Sequence, residues 1–174
     1  MTAAAVDLRP AEVGDAREIA WLQIESSRVG YRGLVADELL ARVSDDARAD
    51  VWRERLESGL FGLVLLAVRE GRPAGYCAVL TPAHDADAAA DVAALCSIYV
   101  DPALWRTGCG RALVNEVVRR LRADGGGWRE LTLWVLEGNA GARAFYTSLG
   151  FQADGARQFE AAVGVPEIRL RLAL

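Results

Sequence analysis

A glycine-rich turn, Arg-Thr-Gly-Cys-Gly-Arg at residues 106–111, has the residue types and spacing that suit phosphate binding. Glycines at positions 108 and 110 lack a Cβ atom, so backbone amides there can approach a ligand closely. A helical pattern follows, and the unpaired N–H groups and positive dipole end of a helix attract an anion. Arg106 and Arg111 add positive charge at the same end. The turn therefore predicts a phosphate site, and a glycine-rich connector that only packs tightly is the alternative.

Spacing and composition exclude two other phosphate-binding loops. A dinucleotide fingerprint requires a third glycine at position 113, where this chain has Leu113. A P-loop requires Gly-Lys-Ser/Thr, and all twenty basic residues of this chain are arginines. The absence of lysine also excludes a Schiff base and a lysine general base. A nucleotide-binding protein is thus the disfavoured class.

A second segment with polar residues at defined positions spans residues 139–151. Asn139 is a good helix N-cap, and Gly150 is typical of the residue that follows a helix C-terminus. Phe151 supplies an apolar contact just beyond it. From these features alone, the segment is a well-capped core helix in which Tyr146 is an ordinary half-buried tyrosine.

The elements that position these two segments alternate along the chain. Residues 92–100 are apolar at both alternating sets, which predicts a central strand covered on both faces. The helix after the turn carries one apolar stripe, made of Leu113, Val114, Val117, Val118 and Leu121. The pattern also predicts strands at 6–10, 131–136, 151–159 and 167–174, a strand pair within 60–82, and helices at 12–28, before Gly59 and within 139–150. This is a mixed α+β fold, and we expect one domain spanning residues 1–174.

Composition limits the class of protein further. The net charge of −4 argues against a nucleic-acid partner, because affinity for a phosphate backbone needs a basic face. The longest apolar run, 61–68, is too short to span a bilayer, and residues 1–10 lack the features of a signal peptide. We therefore expect a cytoplasmic protein with no membrane partner. A single histidine, His84, argues against a metal site built on histidine pairs, and three scattered cysteines argue against a disulfide framework.

Together and in this order, the two segments resemble the motifs of the GNAT superfamily of N-acetyltransferases. The family's turn is Gln/Arg-x-x-Gly-x-Gly/Ala between a strand and a helix, and it is matched here by Gly108 and Gly110, with Trp105 at the leading position. The family's later motif is Asn-x-x-Ala-x-x-Phe-Tyr-x-x-x-Gly-Phe, matched by Asn139, Ala142, Phe145, Tyr146, Gly150 and Phe151. The resemblance covers nearly the whole chain.

The resemblance implies a fold and a cofactor. The fold is a central, mostly antiparallel sheet of six to seven strands, splayed between strands 4 and 5 and flanked by about four helices. The cofactor is acetyl-CoA as acetyl donor, with its pyrophosphate at the turn and its pantetheine arm along strand 92–100. The residues implied to bind it are Ile98, Tyr99, Val100, Arg106, Thr107, Gly108, Cys109, Gly110, Arg111, Asn139 and Tyr146.

The resemblance also implies direct transfer of the acetyl group to a primary amine. Tyr146 matches the family's general acid, and a phenol with a pKa of roughly 10 can protonate a leaving thiolate whose thiol has a pKa of roughly 8.5. Cys109 lies at a helix N-terminus, a position that lowers the pKa of a thiol. Direct transfer needs no acyl-enzyme, so we interpret Cys109 as a small residue that fills the turn.

The base that deprotonates the amine is not evident from the sequence. Many family members place a glutamate early in the central strand, where this chain reads Val-Ala-Ala-Leu at 92–95. Glu25, Asp91 and Glu137 are candidates, and a water chain or no dedicated base fits equally well. We expect His84 to be exposed in its Asp-rich loop rather than catalytic.

Two questions of function stay open at this level. A catalytically silent GNAT-like module that binds acyl-CoA is the alternative to an enzyme. The acceptor is a small-molecule or peptide amine, bound in the family by the first two helices and the loop between the last two strands. Acidic residues in those regions favour a cationic acceptor: Glu25, Asp37, Glu38 and segment 158–167. Whether the chain forms a homodimer is also open.

Overall fold

The computed structural model describes residues 6–41, 44–161 and 164–174, in which seven β-strands and five α-helices follow one another. The elements are β1 Asp7–Pro10, α1 Ala16–Gly30, α2 Asp37–Ala41, α3 Asp45–Ser58, β2 Leu63–Arg69, β3 Arg72–Leu80, β4 Val92–Val100, α4 Cys109–Ala123, β5 Glu130–Leu136, α5 Ala140–Thr147, β6 Gln152–Glu160 and β7 Val165–Ala173. Residues 1–5, 42–43 and 162–163, which belong to the predicted domain 1–174, lie outside the described residues.

The strands form one seven-stranded sheet in the order β1-β2-β3-β4-β5-β7-β6. Every neighbouring pair is antiparallel except β4 and β5, which run parallel. Pairing between β4 and β5 covers only residues 92–94 and 130–132, so the two strands diverge beyond these positions. The predicted mixed fold and the splay between strands 4 and 5 are confirmed. The structure has five helices where about four were expected, because residues 37–41 form the short helix α2.

Helices cover the two faces of the sheet over separate cores. The predicted apolar stripe of α4 packs on one face, with Leu113, Val117 and Leu121 buried and Val118 half-buried. Helices α1 and α3 cover the other face through a cluster that includes Trp52. We refer to these as the α4 face and the α1 face of the sheet.

Strand β4 departs from the prediction that both of its faces are covered. Residues 92–95 are buried as expected, but Cys96 is exposed and residues 97–100 are only half-buried. The reason is the splay, since no strand pairs with this half of β4 on the side of β5. The exposed half is therefore one wall of a cleft.

A buried arginine fixes the loop between β3 and β4 to the far half of the sheet. Arg169 on β7 is only 5% exposed, and its guanidinium makes a bidentate ion pair with Asp87 at 2.6 and 2.7 Å. It also donates to Asp154 at 2.7 Å and lies over the ring of Trp134 at 5.5 Å. The pairing lowers the pKa of the Asp87 carboxyl to about 2.

Replacing Arg169 by leucine is expected to lower the free energy of unfolding by about 2 kcal/mol, because Asp154, whose side chain is 15% exposed, loses one of its two arginine donors and keeps only Arg171. Arg17→Leu is the matched control, since the Arg17–Asp46 pair is exposed on both sides and should contribute less than about 1 kcal/mol. Urea denaturation of both variants measures the difference. Equal losses would show that the Arg169 pairs contribute no more than a surface pair.

Candidate active site

A cleft of about 640 Å³ opens where β4 and β5 diverge. The turn before α4, the start of α5 and the end of α1 complete its walls. The sequence-predicted site residues that line it are Ile98, Tyr99, Val100, Arg106, Gly108, Gly110, Arg111, Asn139 and Tyr146. The fold therefore brings nine of the eleven predicted cofactor-binding residues to one cavity, and Thr107 and Cys109 are outside its lining.

The turn before α4 has a geometry suited to an anion. Gly108 is the N-cap residue with φ of +94°, and Arg106 also has a positive φ of +63°. The N–H of Ala112 bonds to the carbonyl of Gly108 at 2.9 Å, so the N–H groups of the preceding helical residues have no partner within the helix. Successive N–H groups in such a left-handed turn form a concave anion site.

The two glycines of the turn serve different purposes. A Cβ atom on Gly108 would meet no heavy atom within 4 Å, so its positive φ is what requires glycine there. A Cβ atom on Gly110 would lie 3.3 Å from the ring of Phe145 on α5. Gly110 thus permits the close approach of α4 to α5, and Gly108 leaves open space above the amides.

Thr107 and Cys109 support the turn from behind. The Thr107 hydroxyl and N–H both donate to the carbonyl of Leu104, at 2.7 and 3.3 Å. Cys109 is buried against β3, with Sγ 3.8 Å from the carbonyl oxygen of Ala74. Burial raises the pKa of the Cys109 thiol to about 11. This thiol is neutral at physiological pH, as befits a residue that fills the turn.

The carbonyl of Val100 at the end of β4 is already saturated. It accepts a hydrogen bond from Ser26 Oγ at 2.6 Å and another from Trp105 Nε1 at 2.7 Å, which use both of its lone pairs. Asp101 N–H bonds to Ala74 on β3, so by the alternation of an antiparallel ladder the backbone groups of Val100 and Ile98 face the cleft. Val100 can therefore offer a ligand its N–H alone. Trp105, the departure from the family's turn motif, holds the strand end.

Tyr146 lies on α5 with its ring between two phenylalanines. Ring centroids are 5.2 Å from Phe145 and 5.7 Å from Phe151. Only 8% of the residue is exposed, and burial raises the pKa of its hydroxyl well above the usual value. The phenol is therefore fully protonated at neutral pH. Asn139 caps the same helix, its Oδ1 accepting from the N–H of Ala142 at 3.0 Å.

None of the three carboxylates suggested as a base lines the cleft. Glu25 pairs with Arg28 at 2.5 Å, and Glu137 pairs with Arg157 at 2.5 Å. Asp91 precedes β4 at the end where β4 and β5 are still paired. His84 is exposed, as expected.

Tyr31 and Glu167 are among the residues of the cleft that the sequence did not single out. The Tyr31 hydroxyl, at the end of α1, lies 3.1 Å from the Tyr99 hydroxyl, and burial raises the pKa of Tyr31. Glu167 on β7 accepts from Gln158 Nε2 at 2.8 Å, and burial raises the pKa of its carboxyl. Glu167 belongs to segment 158–167, which was predicted as acceptor-binding, but no spacing rule distinguished it from the other acids there.

Across the described ranges, no helix has the length and apolar character needed to cross a membrane. The same residues contain no group of three or more His, Cys, Asp or Glu side chains arranged to hold a metal ion.

The sequence model of the acetyltransferase (GNAT) family matches residues 21–151. The chain belongs to this family, which confirms the resemblance drawn from the two motifs. An uncharacterized N-acetyltransferase of Mycobacterium tuberculosis is 33% identical over 98 residues, which are 55% of this chain and 56% of that protein. The match thus spans little more than half the length of this curated relative.

Solved structures share the fold over nearly the whole chain. The PaiA N-acetyltransferase of Thermoplasma acidophilum in complex with coenzyme A has a TM-score of 0.74 at 18% identity, covering 98% of this chain and 99% of that one. YncA of Salmonella typhimurium, solved with acetyl-CoA, has a TM-score of 0.71 at 20% identity, covering 98% and 95%. At these identities the likeness establishes the fold.

Proposed function

We propose that this protein is an acetyl-CoA-dependent N-acetyltransferase that moves an acetyl group directly to a primary amine. The observation that carries the proposal is the cleft between the diverging halves of β4 and β5, which joins an anion-binding turn at one wall to Tyr146 at another. Membership of the GNAT family and the solved relatives with coenzyme A and acetyl-CoA support it.

The residues at the turn fit the phosphates of the donor. The free N–H groups at the start of α4 would hold the pyrophosphate, and Arg106 and Arg111, both exposed at the cleft, would add positive charge. The cleft-facing groups of Ile98 and the N–H of Val100 would pair with the pantetheine arm. Acetyl-CoA supplies an acetyl thioester, which an amine can attack without a covalent enzyme intermediate.

The chain's own groups account for the two charges that develop during transfer. As the nitrogen of the neutral amine bonds to the acetyl carbon, the carbonyl oxygen becomes negative, and the N–H groups of β4 that face the cleft would stabilise it. The nitrogen then loses one proton to solvent water. When the carbon–sulfur bond breaks, the thiolate needs a proton. Tyr146, which lines the cleft, would donate it from its protonated hydroxyl.

Incubation of the protein with acetyl-CoA and a panel of primary amines tests the proposal. Thiol release that requires both an amine and the protein, together with an acetyl mass added to the amine, is the expected result. Coenzyme A binding by calorimetry without thiol release for any amine would instead support the catalytically silent module.

The three carboxylates outside the cleft are expected to be dispensable for transfer. Glu25→Gln, Glu137→Gln and Asp91→Asn should each lower kcat/KM less than tenfold, below the range of about 10²–10⁴-fold that a positioned base contributes. The physical reason is that none of them reaches the cavity. Steady-state kinetics of each variant checks this, and a hundredfold loss in one of them would identify that residue as the base.

A further inference from the structure

The cleft passes between the two faces of the sheet, and its charged groups are separated by face. On β4, Ile98 and Val100 pack with the core of the α4 face, whereas Tyr99 packs with the core of the α1 face. On β7, Ile168 belongs to the α4 face, so the neighbouring Glu167 points to the α1 face. The anion-binding turn therefore serves one side of the cleft, and Glu167 serves the other.

Glu167 is the one carboxylate among the described residues that line the cleft. It is half-buried, and the Gln158 amide is the only described side chain that donates to it. The arginines nearest along β7 are engaged elsewhere: Arg169 pairs with Asp87 and Asp154, and Arg171 pairs with Asp154 and Glu130. A carboxylate that is partly desolvated without a cationic partner carries a free-energy cost that a bound cation would offset.

Two tyrosines that line the same cleft as Glu167 complete a polar site for an ammonium group. Tyr31 and Tyr99 line the same cavity and share a hydrogen bond of 3.1 Å, which leaves lone pairs free to accept from an N–H donor. Burial raises the pKa of the Glu167 carboxyl, in agreement with its incomplete solvation.

The same charges disfavour an acceptor with a carboxylate next to its amine. An α-amino acid needs a cationic group to balance its carboxylate, and the two arginines that line the cleft, Arg106 and Arg111, lie at the anion-binding turn. Beside Glu167, a second carboxylate would face like charge. The arrangement fits an amine whose neighbouring atoms are uncharged.

Resting on the proposed acetyltransferase function, we infer that Glu167, with Tyr31 and Tyr99, forms an ammonium subsite that selects primary amines without a neighbouring carboxylate. The bound ammonium loses one proton to solvent water before the free amine attacks the acetyl carbon. A hydrogen bond to a charged group contributes about 1.5–3 kcal/mol, which corresponds to about 10- to 100-fold in kcat/KM. This is the size of the selectivity that we expect.

Matched acceptor pairs test the subsite. Phenethylamine with phenylalanine, and tyramine with tyrosine, differ within each pair only by the carboxylate next to the single amine. The intact protein should acetylate the carboxylate-free member with at least about tenfold higher kcat/KM. In Glu167→Gln, that member should lose about 10- to 100-fold and the preference should shrink towards unity, whereas the affinity for coenzyme A should change less than about twofold. Glu167→Asp, which keeps the charge, should recover part of the loss.

The control is Glu137→Gln, which removes a carboxylate that directly follows β5 and is held by Arg157 outside the cleft lining. It should leave the preference unchanged. Suppose that some amines of the panel are acetylated. Equal kcat/KM within each pair, or a change of less than threefold in Glu167→Gln, would then overturn the subsite alone. If none of the amines in the panel led to thiol release, the proposed function would be overturned as well.

Discussion

Tyr146→Phe is expected to lower kcat by about 10²–10⁴-fold while leaving the fold and the affinity for coenzyme A nearly unchanged. The substitution removes one hydroxyl and keeps the ring that packs between Phe145 and Phe151. The Tyr146 hydroxyl donates to no described residue, so its removal leaves no partner unsatisfied. The loss therefore reports the proton that this phenol supplies to the leaving thiolate.

The pH dependence separates a general acid from a structural tyrosine. The defect should be largest at neutral pH and should shrink as the pH approaches the pKa of a free thiol, roughly 8.5, because a stable thiolate needs no proton. Burial raises the pKa of Tyr146, so the native phenol stays protonated over this whole range. The effect is measured by rapid thiol detection from pH 6 to 9.5, in steps of about 0.5 pH unit, a range that includes the pKa of a free thiol.

Tyr76→Phe is the matched control, since Tyr76 is fully buried in the α1-face core and does not line the cleft. It should keep native kcat at every pH. If Tyr146→Phe behaves like this control across the pH range, the hydroxyl of Tyr146 takes no part in transfer.

Local patterns in the sequence were sufficient for most of the elements and for the turn. The apolar stripe of α4 and the alternating strands reflect burial that each segment carries in its own residues, so their positions could be predicted. The conformation of Gly108 follows from the same local logic, because a left-handed N-cap requires glycine. The splay itself came from the resemblance, and the structure traces it to the short pairing of β4 with β5.

The features that the sequence did not reveal depend on contacts between distant residues. The carbonyl of Val100 accepts one of its two hydrogen bonds from Ser26, 74 positions earlier, and no local pattern predicts that hydrogen bond. Cys109 sits at a helix N-terminus, but the burial that raises its pKa comes from its packing against β3. Glu167 differs from Glu160, the other acid of segment 158–167, in lining the cleft, and it has no arginine partner among the described residues; both features depend on how β7 packs and not on a local pattern.

Gly108→Val is expected to weaken coenzyme A binding by at least about 100-fold, since two or more charge-assisted hydrogen bonds from backbone N–H groups would be lost. A Cβ atom at this position meets no protein atom within 4 Å, so the valine side chain would occupy the open space above the amides. Gly110→Val is a less direct test, because its Cβ would be 3.3 Å from Phe145 and would disturb the packing of α4 on α5. Calorimetric titration with coenzyme A measures the loss.

Backbone strain has to be separated from the block at the phosphate site, because valine at a positive φ costs about 1–3 kcal/mol wherever it occurs. Gly155→Val is the matched control: Gly155 has φ of +90°, no heavy atom lies within 4 Å of its Cβ position, and it is on β6 outside the cleft lining. Both variants should lose similar stability in urea denaturation, and only Gly108→Val should lose binding. Native affinity in a folded Gly108→Val protein would refute the phosphate site, and equal loss of binding in both variants would assign the effect to strain.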